Sequence, residues 1–124
     1  MFAGIVEKLA SVVSVAKPHG KTAPIKLNLG RLGKAVRIGD SVCINGVCLT
    51  VTSKRKGIIC FDVIEETLRV TNLGELVRGS RVNIERSLLL SDRIGGHLVT
   101  GHVDGTGKIA RLEHMADGSV RTWI

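Results

Sequence analysis

Asn45 and Gly46 stand between two short β-prone segments, and this dipeptide constrains the fold more than any other feature of the chain. Residues 41–44 precede it and residues 47–52 follow it, and both segments are rich in β-branched and apolar side chains. Because Asn and Gly both tolerate a positive φ, they fit the two-residue turn whose twist matches that of a hairpin. The pattern therefore predicts a tight antiparallel hairpin.

The other apolar segments are also short, and turn residues separate them. They predict further strands at residues 2–16, 25–29, 58–63 and 81–88. The acidic start of residues 65–70, followed by a stop at residues 71–74, predicts one short helix. Together these elements predict an all-β fold, a six-stranded Greek-key closed barrel with one short helix, in which closure hides the strand edges.

The beginning of the chain recurs near its end. Residues 1–7 (MFAGIVE) and residues 98–104 (LVTGHVD) share an apolar, apolar, small, Gly, variable, Val, acid pattern at an offset of 97 residues. This offset matches the size of the predicted barrel, so duplication is the better interpretation. We expect residues 1–96 to form one whole barrel, and residues 97–124 to be the truncated opening of a second, with a strand at residues 119–124.

Composition limits the classes of protein that remain. The net charge of +7 attracts polyanions, but aromatic residues make up only 2% of the chain, and single-strand binders usually stack bases on aromatic rings. A basic RNA-binding barrel is therefore a remote alternative. The apolar segments are too short to span a membrane and the N-terminus lacks a signal-peptide pattern, so we expect a cytoplasmic protein.

The cysteines do not predict a metal site. Cys43, Cys48 and Cys60 lack the paired CxxC spacing of a structural zinc site, and we expect Cys43 and Cys60 to be reduced thiols of the β core. His97 is expected to be structural, and His19 and His114 have no predicted role. Cys48 and Thr50 share one face of their strand, because side chains alternate along it.

A series of segments, taken in order, resembles the riboflavin synthase family. They are MFAGIVE at residues 1–7, GDSVCINGVCLTV at 39–51, ETL at 66–68, TNLG at 71–74, VNIER at 82–86 and GGHLVTGHVDG at 95–105. The resemblance covers the whole chain. This sequence departs from the family in two respects: Ala3 replaces the usual Thr, and almost the whole second barrel is absent, which puts catalysis by this chain in doubt.

The resemblance implies a function. Members have two similar barrels, usually assemble as trimers, and convert two molecules of 6,7-dimethyl-8-ribityllumazine into riboflavin and 5-amino-6-ribitylamino-pyrimidinedione, the last step of riboflavin biosynthesis. It implies no cofactor and no metal, and association with lumazine synthase. For this chain we expect a two-fold dimer, because the barrel surface that a second barrel would cover is otherwise exposed.

Three residues are predicted to be catalytic. His102 is the best proton-transfer residue, because imidazole titrates near neutral pH. The repeat also places His102 where the first copy has Ile5, so the two half-sites are chemically unequal, as a reaction between a donor and an acceptor molecule requires. Cys48 would assist addition to the acceptor ring, although a small core hydrophobe is the alternative interpretation. Ser41, at the start of the same hairpin, would relay a proton or position water.

The ligand carries a ribityl chain and a pyrimidine edge, whose polar groups need partners once buried. Exposed strand backbone would pair with the ring edge at Gly4–Val6, Leu49 and residues 62–64. Glu66 and Thr67 would bond the ribityl chain through their side chains and N–H groups. The alternative is that these two residues only cap the helix. The complete predicted binding set is Phe2, Gly4, Ile5, Val6, Cys48, Leu49, Thr50, Asp62, Val63, Ile64, Glu66, Thr67, Gly101, His102 and Val103. A non-catalytic lumazine- or flavin-binding antenna protein of the same fold is the main alternative.

Overall fold

The computed structural model describes residues 1–16 and 20–124. His19 lies outside these residues. The strands are β1 (Lys8–Val15), β2 (Thr22–Asn28), β3 (Ser41–Ile44), β4 (Val47–Arg55), β5 (Ile58–Ile64), β6 (Arg81–Arg86), β7 (Arg111–His114) and β8 (Val120–Trp123). The helices are α1 (Leu32–Ala35), α2 (Glu65–Val70) and a 3₁₀ turn at Asn72–Glu75.

Strands β1 to β6 close into a barrel in the order β1-β2-β5-β4-β3-β6, and every neighbouring pair is antiparallel. The connection from β2 to β3 crosses the barrel, which gives Greek-key topology. The predicted all-β Greek-key barrel is confirmed. Its interior is filled by alternate side chains of the strands and by residues of the connections: Ala10, Val12, Ile25, Leu27, Leu29, Val36, Val42, Ile44, Val47, Leu49, Val51, Ile59, Phe61, Val63, Leu73, Val82 and Ile84.

The turn between β3 and β4 has the conformation that the sequence predicts. Asn45 and Gly46 both have positive φ, 50° and 87°. Asn45 also extends the sheet, because its side-chain Oδ1 accepts from the Asn83 N–H at 2.8 Å and its backbone N–H donates to the Asn83 carbonyl at 3.0 Å. The turn is therefore tied to β6 as well as closing the hairpin.

The strand predicted at residues 2–16 is wrong in its first half. The sheet strand begins only at Lys8, because Gly4 has a φ of 78° that breaks the extended backbone. Phe2 instead pairs with Val99 in an isolated antiparallel bridge. The prediction of a single helix also missed α1 and the 3₁₀ turn, and β6 ends at Arg86 instead of residue 88.

Residues beyond the barrel form a separate two-stranded sheet of β7 and β8. The sequence predicted a strand close to β8 but not β7. Asp117 shapes their turn, since its Oδ1 accepts from both the N–H and the hydroxyl of Ser119. Within residues 1–16 and 20–124, no helix is long and apolar enough to cross a membrane.

Candidate functional site

A buried carboxylate anchors the N-terminal segment to the barrel. Glu85 of β6 is 7% exposed, and its Oε1 accepts from the N–H groups of Ala3 and Gly4 at 2.6 and 3.0 Å. Phe2, which is fully buried, exchanges two backbone hydrogen bonds with Val99 at 2.8 and 3.0 Å. The N-terminal segment thus provides a fixed edge for the chain that follows β6.

The segment that follows β6 runs along this edge to the hairpin. The His97 N–H donates to the Ala3 carbonyl at 3.0 Å, and the Cys48 N–H donates to the Gly101 carbonyl at 2.8 Å. Val103 then packs against the barrel core. These contacts place His102 beside the start of β4, although 53 residues separate it from Cys48 in the chain.

Gly101 is required by this close approach. Its φ is 77°, and a Cβ at this position would lie 2.9 Å from both the Cβ and the N of Cys48. A larger residue would therefore be strained in its backbone and would collide with β4. The Gly101 carbonyl can reach the Cys48 N–H only because no side chain stands between the two segments.

A cavity of about 310 Å³ opens between β4, α2 and residues 101–104. This volume is at the lower end of the range of small-molecule pockets. Six of the predicted site residues lie in its wall: Cys48, Glu66, Thr67, Gly101, His102 and Val103. The cavity thus combines a thiol, an imidazole, a hydroxyl and a carboxylate, which can donate, accept and transfer protons.

The cavity lies near a seam where two strands separate. The β4–β5 ladder runs only from Val51 and Phe61 to Arg55 and Ile58. Two short stretches lie beyond the end of this ladder, on the side where β5 leads into α2. They are Leu49 and Thr50 on β4 and residues 62–64 on β5. Their backbone edges, which the sequence predicted to pair with a ligand, are thus next to the cavity, although their side chains are absent from its described lining.

Glu66 is held by its own helix. Its carboxylate receives two hydrogen bonds from Arg69, from Nη2 at 2.6 Å and from Nε at 3.0 Å. This hydrogen bonding lowers the pKa of Glu66 and raises that of Arg69. Glu66 therefore faces the cavity as an ionised acceptor, whereas the Thr67 hydroxyl is the neutral group of the pair.

Other predicted residues lie elsewhere. Ser41 is in register with Thr50, but it lines a different cavity of about 410 Å³ that also includes Arg37, Asp40 and Arg86. Ile5 lines a third cavity, next to Glu7 and Arg86, and Gly4 and Val6 line a fourth that includes Cys43. Phe2 is enclosed in protein. Ser41 and the residues of the N-terminal segment therefore do not meet Cys48 and His102 in the same cavity of this chain.

The sequence did not single out four residues of the cavity wall: Val47, Val70, Thr71 and Asp104. Thr71 was predicted only as a helix stop, yet it is 7% exposed and its hydroxyl donates to the Thr67 carbonyl and accepts from the Leu73 N–H. Asp104 is the acid that ends the repeated pattern, so the repeat could have indicated it.

A closed Greek-key barrel with a small polar cavity at a strand seam defines a class of small-molecule-binding domain. Residues 3–87 match the family model described as the lumazine binding domain. The chain belongs to the lumazine-binding domain family.

The comparisons with individual proteins agree with this assignment. The chain is 40% identical to the riboflavin synthase of Bacillus subtilis over 94% of its length and 44% identical to that of Escherichia coli over 90%. It spans about half of each relative, 54% and 53%. The fold is similar to that of LumP complexed with riboflavin, with a TM-score of 0.79 at 23% identity over 94% of this chain and 62% of that one. LumP complexed with 6,7-dimethyl-8-(1'-D-ribityl) lumazine gives a TM-score of 0.76, at 23% identity over 94% of this chain and 61% of that one.

Proposed function

We propose that this chain is the lumazine-binding barrel of a riboflavin synthase, and that the cavity at the β4–α2 seam holds one molecule of 6,7-dimethyl-8-ribityllumazine or riboflavin. The observation that carries the proposal is the Cys48–Gly101 hydrogen bond, which brings His102 to the same cavity as the Cys48 thiol. The named relatives and the ligand-bound LumP structures support the choice of ligand.

The cavity groups suit the two ends of this ligand. Thr67 and the ionised Glu66 lie on α2 and would bond hydroxyls of the ribityl chain, while the open strand edges at Leu49 and Val63 would pair with the pyrimidine edge. Val103, packed against the core, would support the apolar part of the ring system. The Glu66 carboxylate only accepts and already binds Arg69, so the Thr67 hydroxyl is the group of the two that can donate to the ribityl chain.

The reaction requires a proton to leave the methyl group of one lumazine and a four-carbon unit to pass to another. His102 is the base that takes this proton. General acid–base catalysis of this kind contributes about 10²–10⁴-fold to the rate. Cys48 would assist addition to the acceptor ring. Holding two rings face to face would supply the larger share, because orientation alone is worth about 7–11 kcal/mol. This activity belongs, in our proposal, to a protein with two barrels, of which residues 1–96 form the first and residues 97–124 the opening of the second.

The repeat indicates where a second half-site would form. Gly4 is the equivalent of Gly101 and has nearly the same φ, 78° against 77°. Gly101 binds the Cys48 edge of this barrel, whereas the segment of Gly4, with Ile5 and Val6 50% and 53% exposed, faces outward. We propose that Gly4–Val6 complete the equivalent cavity of the second barrel of the parent protein, and that two copies of this chain pair their half-sites in a two-fold dimer across the surface that the second barrel would cover.

The parent protein would assemble as a trimer, associate with lumazine synthase and work in the cytoplasm, whose reducing conditions agree with the three free cysteines. Light scattering tests the dimer at micromolar concentration. We expect twice the chain mass, and a strictly monomeric mass would contradict the paired half-sites.

Fluorescence titration with 6,7-dimethyl-8-ribityllumazine and with riboflavin tests the binding site. His102→Gln, Cys48→Ala and Thr67→Val should each weaken binding by about two- to tenfold, the loss of one hydrogen bond. His114→Gln and Cys60→Ala are the matched controls and should leave affinity unchanged. Binding that all five variants preserve would place the ligand outside this cavity.

Product analysis then separates enzyme from antenna protein. Riboflavin formed from the lumazine, and lost in His102→Gln, supports catalysis by a pair of first barrels. Tight binding without turnover would show that the chemistry needs the second barrel or that the chain only binds. Absence of binding to either ligand would contradict the proposed function and favour a polyanion such as RNA, which a salt-dependent gel shift would detect.

A further inference from the structure

Cys43 and Cys48 lie directly opposite each other in the β3–β4 hairpin. Ile44 and Val47 form the pair that closes the two-residue turn, so the next pair along the ladder is a non-hydrogen-bonded one. The backbone contacts agree, since the Cys48 N–H donates away from β3, to the Gly101 carbonyl, and Cys43 is in register with Glu85 of β6. The two cysteines therefore occupy the more closely spaced type of cross-strand pair.

This type of pair suits a disulfide. Its Cα atoms are about 4.5 Å apart, and disulfides span Cα separations of about 4.4–6.8 Å. The two side chains also point to the same side of the sheet, because Val42, Val47 and Leu49, which alternate with them, are buried in the barrel core. A bond between the two sulfurs therefore needs side-chain rotation but no movement of either strand.

The two thiols differ in access. Cys48 is partly exposed and lines the seam cavity, whereas Cys43 is 6% exposed. Burial raises the pKa of the Cys43 thiol, and the neighbouring Glu85 and Cys48 raise it further. An oxidant in solution therefore reaches Cys48 first, and the shielded, protonated Cys43 thiol lies beside it.

We propose that Cys43 and Cys48 are a redox modification site that a peroxide converts into a reversible disulfide. The Cys48 sulfur attacks the peroxide, whose O–O bond breaks, giving a sulfenic acid and, from hydrogen peroxide, one water. The Cys43 sulfur then displaces the sulfenic oxygen as a second water and forms the S–S bond. The two thiols lose two electrons and two protons, which the peroxide takes up, and an external thiol reverses the step.

The disulfide would change the seam cavity. In the disulfide the Cys48 sulfur is directed across the hairpin to Cys43, and the thiol proton that could serve a ligand is lost. If the proposed function holds, on which this consequence rests, oxidation removes the group that assists addition to the acceptor ring. The outer face of the hairpin would thus link the redox state of the chain to the state of its ligand cavity.

Mass spectrometry of the folded chain tests the disulfide without any ligand. After hydrogen peroxide and alkylation of the remaining thiols, trypsin releases both cysteines in one peptide, residues 38–54, and Cys60 in another. We expect the free-thiol count to fall from three to one, with the 38–54 peptide lighter by two hydrogen atoms and restored by dithiothreitol. Cys60→Ser should give the same peptide, and Cys43→Ala should not.

Cleavage at the turn gives a second measurement that does not require a substitution at Cys43 or Cys48. Hydroxylamine cuts the Asn45–Gly46 bond, which lies between the two cysteines, so the fragments stay joined on a non-reducing gel only if a disulfide spans the cut. In Cys60→Ser that disulfide can only be Cys43–Cys48. Separated fragments after peroxide, or a 38–54 peptide that keeps both thiols or carries oxygen on Cys48 alone, would overturn the proposal.

Titration of the oxidised and reduced chains with 6,7-dimethyl-8-ribityllumazine measures the consequence for the cavity. We expect oxidation to weaken binding by about two- to tenfold in Cys60→Ser, as loss of the thiol does. In Cys43→Ala peroxide should leave no disulfide that dithiothreitol can reverse. If the reduced chain binds neither ligand, the proposed function fails while the mass measurement still decides the disulfide.

Discussion

Phe2 and Val99 hold the same place in the two copies of the repeat and are bonded to each other by a reciprocal pair of backbone hydrogen bonds, at 2.8 and 3.0 Å. A pairing of equivalent residues is what a local two-fold axis produces, and this axis runs between the N-terminal segment and the segment after β6. Gly4 and Gly101, on either side of it, have nearly the same φ, 78° and 77°, but their surroundings differ: a Cβ at Gly4 would meet Val99 at 3.8 Å, whereas one at Gly101 would meet Cys48 at 2.9 Å.

The side chain at this axis should be essential for stability. Phe2→Ala removes a fully buried ring, and such truncations cost about 3–5 kcal/mol. A urea titration followed by far-UV circular dichroism measures the loss. Leu90→Ala is the control, since that side chain is fully exposed and should change the free energy of unfolding by less than about 0.5 kcal/mol. Equal effects of the two substitutions would contradict the packing described for Phe2.

Gly101→Ala should release His102 from the seam cavity. The new Cβ would meet Cys48 at 2.9 Å on a backbone with positive φ, at a cost of about 1–3 kcal/mol. Hydrogen exchange should then show faster exchange of the Cys48 amide, whose partner is the Gly101 carbonyl. At Gly105 a Cβ has open space and φ lies outside the left-handed region, so Gly105→Ala should leave that amide protected. Unchanged exchange in Gly101→Ala would argue against the contact.

Glu85→Gln should loosen the N-terminal segment. The carboxylate accepts from two N–H groups while buried, and hydrogen bonds to a charged group are worth about 1.5–3 kcal/mol. We expect a lower free energy of unfolding and earlier proteolysis near residue 4. Glu113→Gln is the control, because its contacts to Arg111 and Arg121 are long and solvent-exposed and contribute little. Resistance to proteolysis equal to that of the unmodified chain would refute the anchoring role.

Glu7 should contribute to the acid sensitivity of the barrel. Its hydrogen bonds with Arg86 lower its pKa below the ordinary 4.5. Because the folded state favours the carboxylate, the contribution is complete above pH 4.5 and is lost as the pH falls through the lowered pKa. The pair is partly exposed, so Glu7→Gln should cost less than about 1 kcal/mol at neutral pH.

Urea titrations of wild type and Glu7→Gln between pH 7 and pH 2 test this contribution. The difference between the two proteins should be constant down to the ordinary Glu pKa and should shrink below it. Glu66→Gln is the comparison variant, because the Glu66–Arg69 pair is more exposed to solvent than the Glu7–Arg86 pair and contributes little to the free energy of unfolding. A difference for Glu7→Gln that grows as the pH falls would have the wrong sign.

Local signals in the sequence were sufficient for the barrel. Asn45 and Gly46 determine their turn through positive φ, the acidic start of residues 65–70 matches α2, and alternation puts Cys48 and Thr50 on one face of β4. Each of these features depends on neighbours within a few residues. This is why the element types could be predicted and why the ends of β1 and β6 could not, since strand ends depend on partners elsewhere in the chain.

The site depends on contacts between distant segments, and sequence reasoning reached only part of it. The repeat and the family resemblance singled out Cys48, Thr67 and His102, which the fold brings to one cavity. Ser41 was grouped with them because it belongs to the same hairpin. Yet it lies at the far end of β3, next to Ser87, whose N–H donates to its carbonyl, and so lines another cavity. Proximity along a strand did not predict which cavity a side chain reaches.

Trp123, the only tryptophan of a chain without tyrosine, lies in the β7–β8 sheet, and its ring centre is 3.9 Å from the guanidinium carbon of Arg111 and 5.7 Å from that of Arg121. The intrinsic emission of the protein therefore arises outside the barrel. A thermal melt followed by tryptophan emission would report the separation of Trp123 from these two guanidinium groups. It would not detect the unfolding of the six barrel strands. Emission and backbone ellipticity therefore report on different parts of this chain: emission on the β7–β8 sheet, and ellipticity mainly on the barrel.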